Sequence, residues 1–128
     1  MAKREHWKVD PDPHDFPAAG DYLSLTLRRA EVLAVVRKLK AATVSRHLAK
    51  DLLRAGRLPL LPIDDPEVVR DLKKVRKGEL LSPVLLVRGD LPGDQALTIA
   101  DGYHRVCASY HLDEDATIPA RLVDGPVA

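Results

Sequence analysis

Apolar residues in the N-terminal half recur with the spacing of helices. Residues 27–40 carry a stripe in which apolar positions are three or four residues apart, which places them on one helical face. The stripe consists of Val32, Val35, Val36 and Leu39. Thr26 stands where an N-cap is expected. A short helix over residues 18–25 is predicted before this one.

A second helix is predicted over residues 43–55. Thr43 is its candidate N-cap, and Gly56 is a suitable residue to end it. Its apolar stripe is formed by Val44, Leu48, Leu52 and Ala55. Residues 1–17 are predicted to be an irregular arm with a loose tip, pinned to the body by its two large apolar residues, Trp7 and Phe16.

The pattern changes at Leu58. Residues 58–63 contain two prolines, which favour an extended chain over a helix. Asp65 and Pro66 then form a pair typical of an N-cap and the first helical position. They predict a helix that stops at Gly78, with an inner face made of Val68, Val69, Leu72 and Val75.

Strands are predicted for most of the remaining chain. Residues 83–88 form a continuous apolar run, typical of a buried strand. Residues 89–94 are rich in Gly, Pro and Asp and predict a turn, so residues 96–100 form an antiparallel return strand. After a helix that starts near Tyr103, residues 118–123 form a last strand, where Pro119 argues for its start or for an edge position.

Composition excludes several classes of protein. The 128 residues favour one domain, and 45% apolar residues supply its core. The net charge of +1 gives no overall attraction to nucleic acid or to an anionic membrane. No run approaches the roughly 18 apolar residues of a membrane span, and the charged N-terminus does not look like a signal peptide. A single cysteine, Cys107, cannot form an internal disulfide, so we expect a cytoplasmic protein.

The strongest candidate for chemistry is the segment between the return strand and the next helix. Gly102 allows the backbone to approach a ligand closely, and the helix that follows offers free N–H groups and a partial positive charge. Arg105 adds a planar fork of donors. The segment therefore predicts a phosphate- or nucleotide-binding loop formed by Asp101, Gly102, Tyr103, His104 and Arg105.

This order of elements around a Gly-x-His-Arg loop resembles the ParB/sulfiredoxin superfamily. The resemblance covers roughly residues 58–124 and extends beyond the loop. It rests on Asp65, Pro66, Val69, Leu72, Pro83, Val84, Leu85, Arg88, Gly89, Gly102, His104, Arg105, Ala108, Tyr110, Leu112 and the run from Thr117 to Val123. It implies a small mixed sheet with packed helices. It also implies ATP, ADP or CTP as ligand, with phosphates at the loop and Mg²⁺ held largely through them.

Departures from the family pattern limit what carries over. The attacking cysteine of sulfiredoxins falls at Tyr103, and Cys107 lies about one helical turn too far along to replace it. Sulfiredoxin chemistry is therefore not expected. The first-helix residues that contact the nucleotide in sulfiredoxins fall at Val68, Asp71 and Val75. The Asp-Gly-x-His-Arg form of the loop also resembles the free-serine kinases of the same superfamily, which use a catalytic carboxylate. Glu67 and Asp71 are the nearby candidates for that carboxylate in this sequence.

Several single residues have two interpretations. Arg105 and His104 either bind phosphate or are satisfied within the fold, and Asp101 either orients a Mg²⁺-bound water or, as we favour, holds the turn. Arg88 and Arg121 are either further phosphate donors or strand-edge charges. Cys107 is expected to be a small buried hydrophobe. The histidines share no ligand spacing, so no metal site is predicted.

An alternative class of function is a DNA-associated regulator or ParB-like adaptor. The two N-terminal helices, with a break near residues 40–42, are compatible with a helix-turn-helix in which Ser45, Arg46 and Lys50 face DNA. The break has no glycine, and we favour helices that pack on the body. A basic helix face, expected to be solvated, is formed by Arg70, Lys73, Lys74, Arg76 and Lys77.

The sequence thus predicts an α+β fold with an irregular arm and helical extension over residues 1–57 and a ParB/sulfiredoxin-like domain over residues 58–128, packed as one compact unit. The expected function is binding of a phosphate-bearing small molecule. Phosphoryl transfer or nucleotide hydrolysis is the favoured class if a reaction is catalysed, which the sequence leaves open, as it does the catalytic residues and the oligomeric state.

Overall fold

A computed structural model describes residues 5–126 of the chain. This part of the chain contains five helices and four strands, in keeping with the predicted α+β class. In chain order they are α1 (Asp15–Leu23), α2 (Arg29–Ala41), β1 (Val44–Leu48), α3 (Ala49–Gly56), α4 (Pro66–Arg76), β2 (Val84–Val87), β3 (Thr98–Asp101), α5 (Tyr103–Leu112) and β4 (Thr117–Val123).

The four strands form one mixed sheet in the order β1-β4-β2-β3. β2 and β3 are antiparallel, as predicted, whereas β2 and β4 run parallel. β1 pairs antiparallel with β4, from Val44 opposite Arg121 to Leu48 opposite Thr117. The N-terminal part of the chain therefore supplies an edge strand of the sheet.

Helices cover both faces of this sheet. Successive side chains of a strand point to opposite faces, so Leu85 and Val87 pack on one side and Val84 and Leu86 on the other. The first pair contacts the core of α1 and α2, which includes Phe16, Leu23, Val35 and Leu39. The second pair contacts α3, α4 and α5 through residues such as Leu52, Val68 and Val106. The result is a three-layer arrangement with two apolar cores.

The helix predicted over residues 43–55 is wrong in its first half. Val44–Leu48 is a strand, and only Ala49–Gly56 is helical. The apolar spacing of four between Val44 and Leu48 was ambiguous, because residues four apart share a face in a strand as well as in a helix. Pairing with β4 decided between the two. The helix-turn-helix that this segment suggested is therefore not formed.

Smaller differences concern where elements begin. α1 starts at Asp15 rather than at residue 18, and α2 is preceded by Arg28 as N-cap rather than by Thr26. Pro119 does not mark the start or the edge of the sheet, because β4 is an internal strand. Its position is tolerated because parallel pairing with β2 begins one residue later, at Ala120.

The arm is attached where its aromatic residues predicted. Trp7 and Phe16 are both buried. Trp7 forms a bridge with Leu81, and the Lys8 amide donates a hydrogen bond to the Leu81 carbonyl over 2.7 Å. The predicted loose tip falls mainly on residues 1–4, which lie outside the described residues. The attached arm brings residues 8–15 against the segment that precedes β2.

Candidate functional site

The predicted loop joins β3 to α5 through a glycine that no other residue can replace without strain. Gly102 has φ +114° and is the N-cap of α5. A Cβ at this position would lie 2.5 Å from Val84 Cγ1 and 2.8 Å from Arg105 Nη2. Both the positive φ and the lack of space therefore require glycine.

The start of α5 leaves backbone donors unused, as helix geometry dictates. The first bond of the helix runs from the Val106 amide to the Gly102 carbonyl, at 3.0 Å. The amides of Tyr103, His104 and Arg105 have no backbone acceptor among residues 5–126. These three N–H groups, with the positive end of the helix dipole, form the anion-attracting part of the loop.

Arg105 is held by Asp101 inside the loop. Its Nη2 atom lies 2.8 Å from Asp101 Oδ2 and 3.4 Å from the Pro83 carbonyl oxygen. The two side chains are only 16% and 19% exposed. The Nε atom of Arg105 is buried and makes no hydrogen bond in the described part of the chain. The side chain is thus fixed in position with part of its donor fork unused.

Asp101 shows opposing electrostatic effects. Burial raises the pKa of its carboxyl group, and the charge and hydrogen bond of Arg105 act in the opposite direction. Burial is the larger effect. Because Asp101 contacts Arg105 directly, it has a positioning role for the guanidinium in addition to its place at the turn.

Tyr103 and His104 make different contacts from those of Arg105. The Tyr103 hydroxyl donates a 2.5 Å hydrogen bond to the Pro59 carbonyl, which ties the loop to the extended segment before α4. The His104 ring lies beside that of Tyr103, with centroids 5.6 Å apart. The tyrosine ring therefore packs away from the cavity described next.

Arg105 forms part of the wall of a cavity of about 470 Å³. The cavity, here called the Arg105 cavity, lies between the arm, α4, the segment before β2 and α5. Its volume falls in the range of small-molecule sites. It is lined by Lys8, Asp12, His14, Asp71, Lys74, Glu79, Leu80, Leu81, Ser82 and Arg105. Arg105 is the one predicted loop residue in this lining.

The arm contributes polar residues that the sequence analysis did not select. Ser82 Oγ donates a hydrogen bond to Asp15 Oδ2, and the Asp12 amide donates to the same carboxylate over 3.2 Å. His14 Nε2 lies 3.3 Å from Asp15 Oδ1. No local motif could reveal this group, because Ser82 and Asp15 are 67 residues apart. The one signal in the sequence was Trp7, a large apolar residue a few positions earlier, which indicated that the arm packs against the body.

Of the two candidate carboxylates on α4, the structure places one in the cavity. Asp71 is buried and lines the cavity, and burial raises the pKa of its carboxyl group, while the nearby charges of Arg105 and Lys74 lower it. Glu67 is outside the lining and forms an ion pair with Arg70 at 3.0 Å. Within the basic face of α4, Lys74 reaches the cavity.

Other candidates have structural partners. Arg121 donates to the Leu39 and Lys40 carbonyls at the end of α2, and Arg88 pairs with Asp124 at 2.8 Å. Neither lines the Arg105 cavity. Cys107 is buried, and burial raises the pKa of its thiol, which opposes reactivity.

Another cavity, also of about 470 Å³, lies on a different part of the surface between α3 and the turn at residues 89–95. Its floor is apolar, with Leu52, Leu86 and Leu122, and its rim carries Arg57 and Arg88. Residues 101–105 do not line it. It is therefore separate from the loop that the sequence singled out.

Comparisons with protein-family models, with curated proteins and with solved structures gave no match. Fold and site together define a small α+β protein with a charged cavity beside a helix N-terminus. The resemblance to the ParB/sulfiredoxin superfamily stays a prediction that rests on the residues themselves. In the described part of the chain, no helix has both the length and the apolar character needed to cross a membrane.

Proposed function

We propose that this protein binds a phosphate-bearing small molecule, of the class of ATP, ADP or CTP, in the Arg105 cavity. The observation that carries the proposal is that Arg105 is fixed in orientation with some of its donors unpaired in the described part of the chain. Asp101 holds the guanidinium through Nη2, and Nη1 has no hydrogen-bond partner among residues 5–126. A guanidinium already fixed in orientation loses little entropy when it binds phosphate oxygens.

The surroundings of Arg105 support a phosphate ligand. Lys8 and Lys74 line the same cavity and add positive charge. The unused amides of residues 103–105 also favour an anion at the loop, of whose residues Arg105 lines the cavity. The carboxylates of Asp12 and Asp71 balance these charges in the free protein. They also suit Mg²⁺, which is usually bound through one or two carboxylates together with substrate phosphates.

Phosphoryl transfer or nucleotide hydrolysis is the reaction class that this arrangement fits. Arg105 would stabilise charge on the transferring group, and Asp71, which lines the cavity, would help to hold Mg²⁺. Sulfiredoxin chemistry is not proposed, since Tyr103 occupies the position of the attacking cysteine. We place the protein in the cytoplasm as part of this proposal, in keeping with its single buried cysteine.

The DNA-binding alternative depended on a helix-turn-helix, and the structure does not form one there. Ser45 and Arg46 lie on β1, where Ser45 Oγ contacts His47 Nε2 at 2.8 Å and Arg46 contacts Glu5 and Thr117. Lys50 lies in the first turn of α3, on the other side of the break between strand and helix. Nucleotide binding is therefore the function we propose.

The test is calorimetric titration and thermal unfolding of the full chain with ATP, ADP, CTP and inorganic phosphate, each with and without Mg²⁺. At least one of them should raise Tm by mass action. Arg105→Gln removes the charge-assisted bonds and should weaken binding at least about tenfold, since such bonds contribute about 1.5–3 kcal/mol. Arg88→Gln, an arginine ion-paired outside the cavity, is the matched control and should bind as wild type.

A second variant distinguishes loss of binding from loss of folding. Arg105→Gln alone leaves the carboxylate of Asp101 buried without its partner, whereas Asp101→Asn combined with Arg105→Gln removes both charges. The double variant should fold, and it should bind the phosphate ligand more weakly than the wild type, as Arg105→Gln does. Equal affinity in the wild type and the double variant, or no shift with any of the four ligands, would contradict the proposal.

A further inference from the structure

Three potential metal ligands meet at the wall of the Arg105 cavity. Asp12, His14 and Asp15 each offer one ligand atom, and these atoms all lie within 4.8 Å of one another. Asp12 and His14 line the cavity directly. The anchoring of Trp7 against Leu81 fixes the arm just before this group. The cluster therefore combines one imidazole and two carboxylates on a segment that is held in place.

A separate observation points to a cation at this position. The side chain of Asp15 is only 4% exposed, yet no Lys or Arg in the described part of the chain forms an ion pair with it. Its partners are the Ser82 hydroxyl, the Asp12 amide and His14, and a histidine compensates charge only when it is protonated. Buried carboxylates are normally paired with a cation or coordinate a metal.

We propose that Asp12, His14 and Asp15 bind a divalent first-row transition metal such as Zn²⁺ or Mn²⁺. Imidazole nitrogen combined with carboxylate oxygens is typical of these ions, whereas an all-oxygen set would suit Mg²⁺ or Ca²⁺. Ser82 orients the Asp15 carboxylate as an outer partner. Three protein ligands leave coordination positions for other groups. If the proposed function holds, phosphate oxygens of the ligand take these positions.

Lys8 is the counter-ion of this cluster in the metal-free protein. Its Nζ atom lies 2.6 Å from Asp12 Oδ1. A metal and the Lys8 ammonium compete for the same carboxylate, so binding of a metal would displace Lys8 from Asp12 and free its charge for a phosphate ligand.

The test is a calorimetric titration of the untagged, chelator-treated full chain with Zn²⁺, Mn²⁺ and Mg²⁺, in a buffer that contains no phosphate. One site should be seen for Zn²⁺ or Mn²⁺, with weaker binding of Mg²⁺. His14→Ala should weaken binding at least about tenfold, the scale on which metal-site groups affect affinity. The His14 side chain is 79% exposed, so this variant is expected to fold. His47→Ala, a histidine on β1, is the matched control and should bind as wild type.

Asp12→Asn provides a second test, because this half-buried residue is not part of either apolar core. It should weaken the metal in the same way. Equal affinities of the His14 and His47 variants would show adventitious binding to surface histidines and would overturn the proposal. So would absence of Zn²⁺ or Mn²⁺ binding up to roughly 1 mM, a range that marks very weak affinity. Since no phosphate is present, these results are independent of the nucleotide test with Arg105→Gln.

Discussion

At the scale of single residues, Arg105 serves both the fold and the cavity. Its Nη2 group satisfies Asp101 and the Pro83 carbonyl, so removing the side chain would leave a buried carboxylate without its partner. Its Nη1 and Nε atoms have no hydrogen-bond partner among residues 5–126. Phosphate binding and an internal ion pair are the two interpretations of Arg105 that the sequence allows, and the ion pair with Asp101 is present in the structure.

Asp71 is the clearest case of an electrostatic cost at the cavity. It is buried on the inner side of α4, and burial raises the pKa of its carboxyl group above the ordinary value. A carboxyl group whose pKa is higher in the folded than in the unfolded protein favours folding when protonated. That advantage is lost as the pH rises through the raised pKa. Ionised Asp71 therefore reduces stability at neutral pH.

Asp71→Asn should accordingly make the protein more stable at pH 7. The gain should shrink as the pH falls through the raised pKa and vanish below the unfolded value of 3.8. Its size is about 1.4 kcal/mol for each unit by which folding raises the pKa of Asp71. Urea unfolding of both proteins across this pH range measures the difference, with exposed Asp64→Asn as control. A gain independent of pH would contradict the electrostatic explanation.

At the scale of elements, side chains join neighbouring helices and strands at their ends. Arg121 on β4 donates to the Leu39 and Lys40 carbonyls, at 3.2 and 2.8 Å, and so satisfies the C-terminus of α2. Asp65 does the same for the start of α4, where its Oδ2 accepts hydrogen bonds from the Glu67 and Val68 amides at 3.1 Å each. α4 carries Asp71 and Lys74 into the cavity, so its cap helps position the site.

Asp65→Ala should lower the free energy of unfolding by about 1 kcal/mol, because two amides at the start of α4 lose their acceptor. Asp64→Ala is the matched control, since Asp64 is the exposed neighbour of the same charge. Denaturant unfolding measures both. A loss of equal size in the two variants would assign the effect to charge rather than to capping.

At the scale of the whole molecule, residues 5–57 are part of the sheet and of both apolar cores. They provide β1, which pairs with β4, and α1 and α2, which cover Leu85, Val87, Ala100 and Val123. They also provide the arm that forms one wall of the Arg105 cavity. Because of these contacts, we expect the parts of the chain before and after residue 57 to fold as one unit.

A fragment of residues 58–128 should therefore fail to fold alone. Without α1 and α2, one face of the sheet would expose its apolar side chains to water, and β4 would lose its partner β1. Urea unfolding followed by circular dichroism should show no cooperative transition for the fragment and a cooperative one for the full chain. Addition of a peptide of residues 1–57 should restore part of the transition. A fragment that unfolds cooperatively by itself would refute this account.

Local signals in the sequence determined much of the fold. The Asp65–Pro66 start of α4, the hairpin of β2 and β3, the glycine at position 102 and the start of α5 at Tyr103 were all predicted and are confirmed. Each depends on the conformational preferences of a few adjacent residues, such as a capping side chain, a turn-rich segment or a positive φ. These preferences act within one turn or one hairpin, so the sequence displays them directly.

Only the tertiary structure decided where β1 forms, how the arm docks and which residues line the Arg105 cavity. The spacing of Val44 and Leu48 fits a helix and a strand equally, and pairing with β4 chose the strand. Asp15 meets Ser82 across 67 residues of chain. Contacts of this kind depend on packing between distant segments, which no local pattern encodes, and they created the cavity on which both proposals rest.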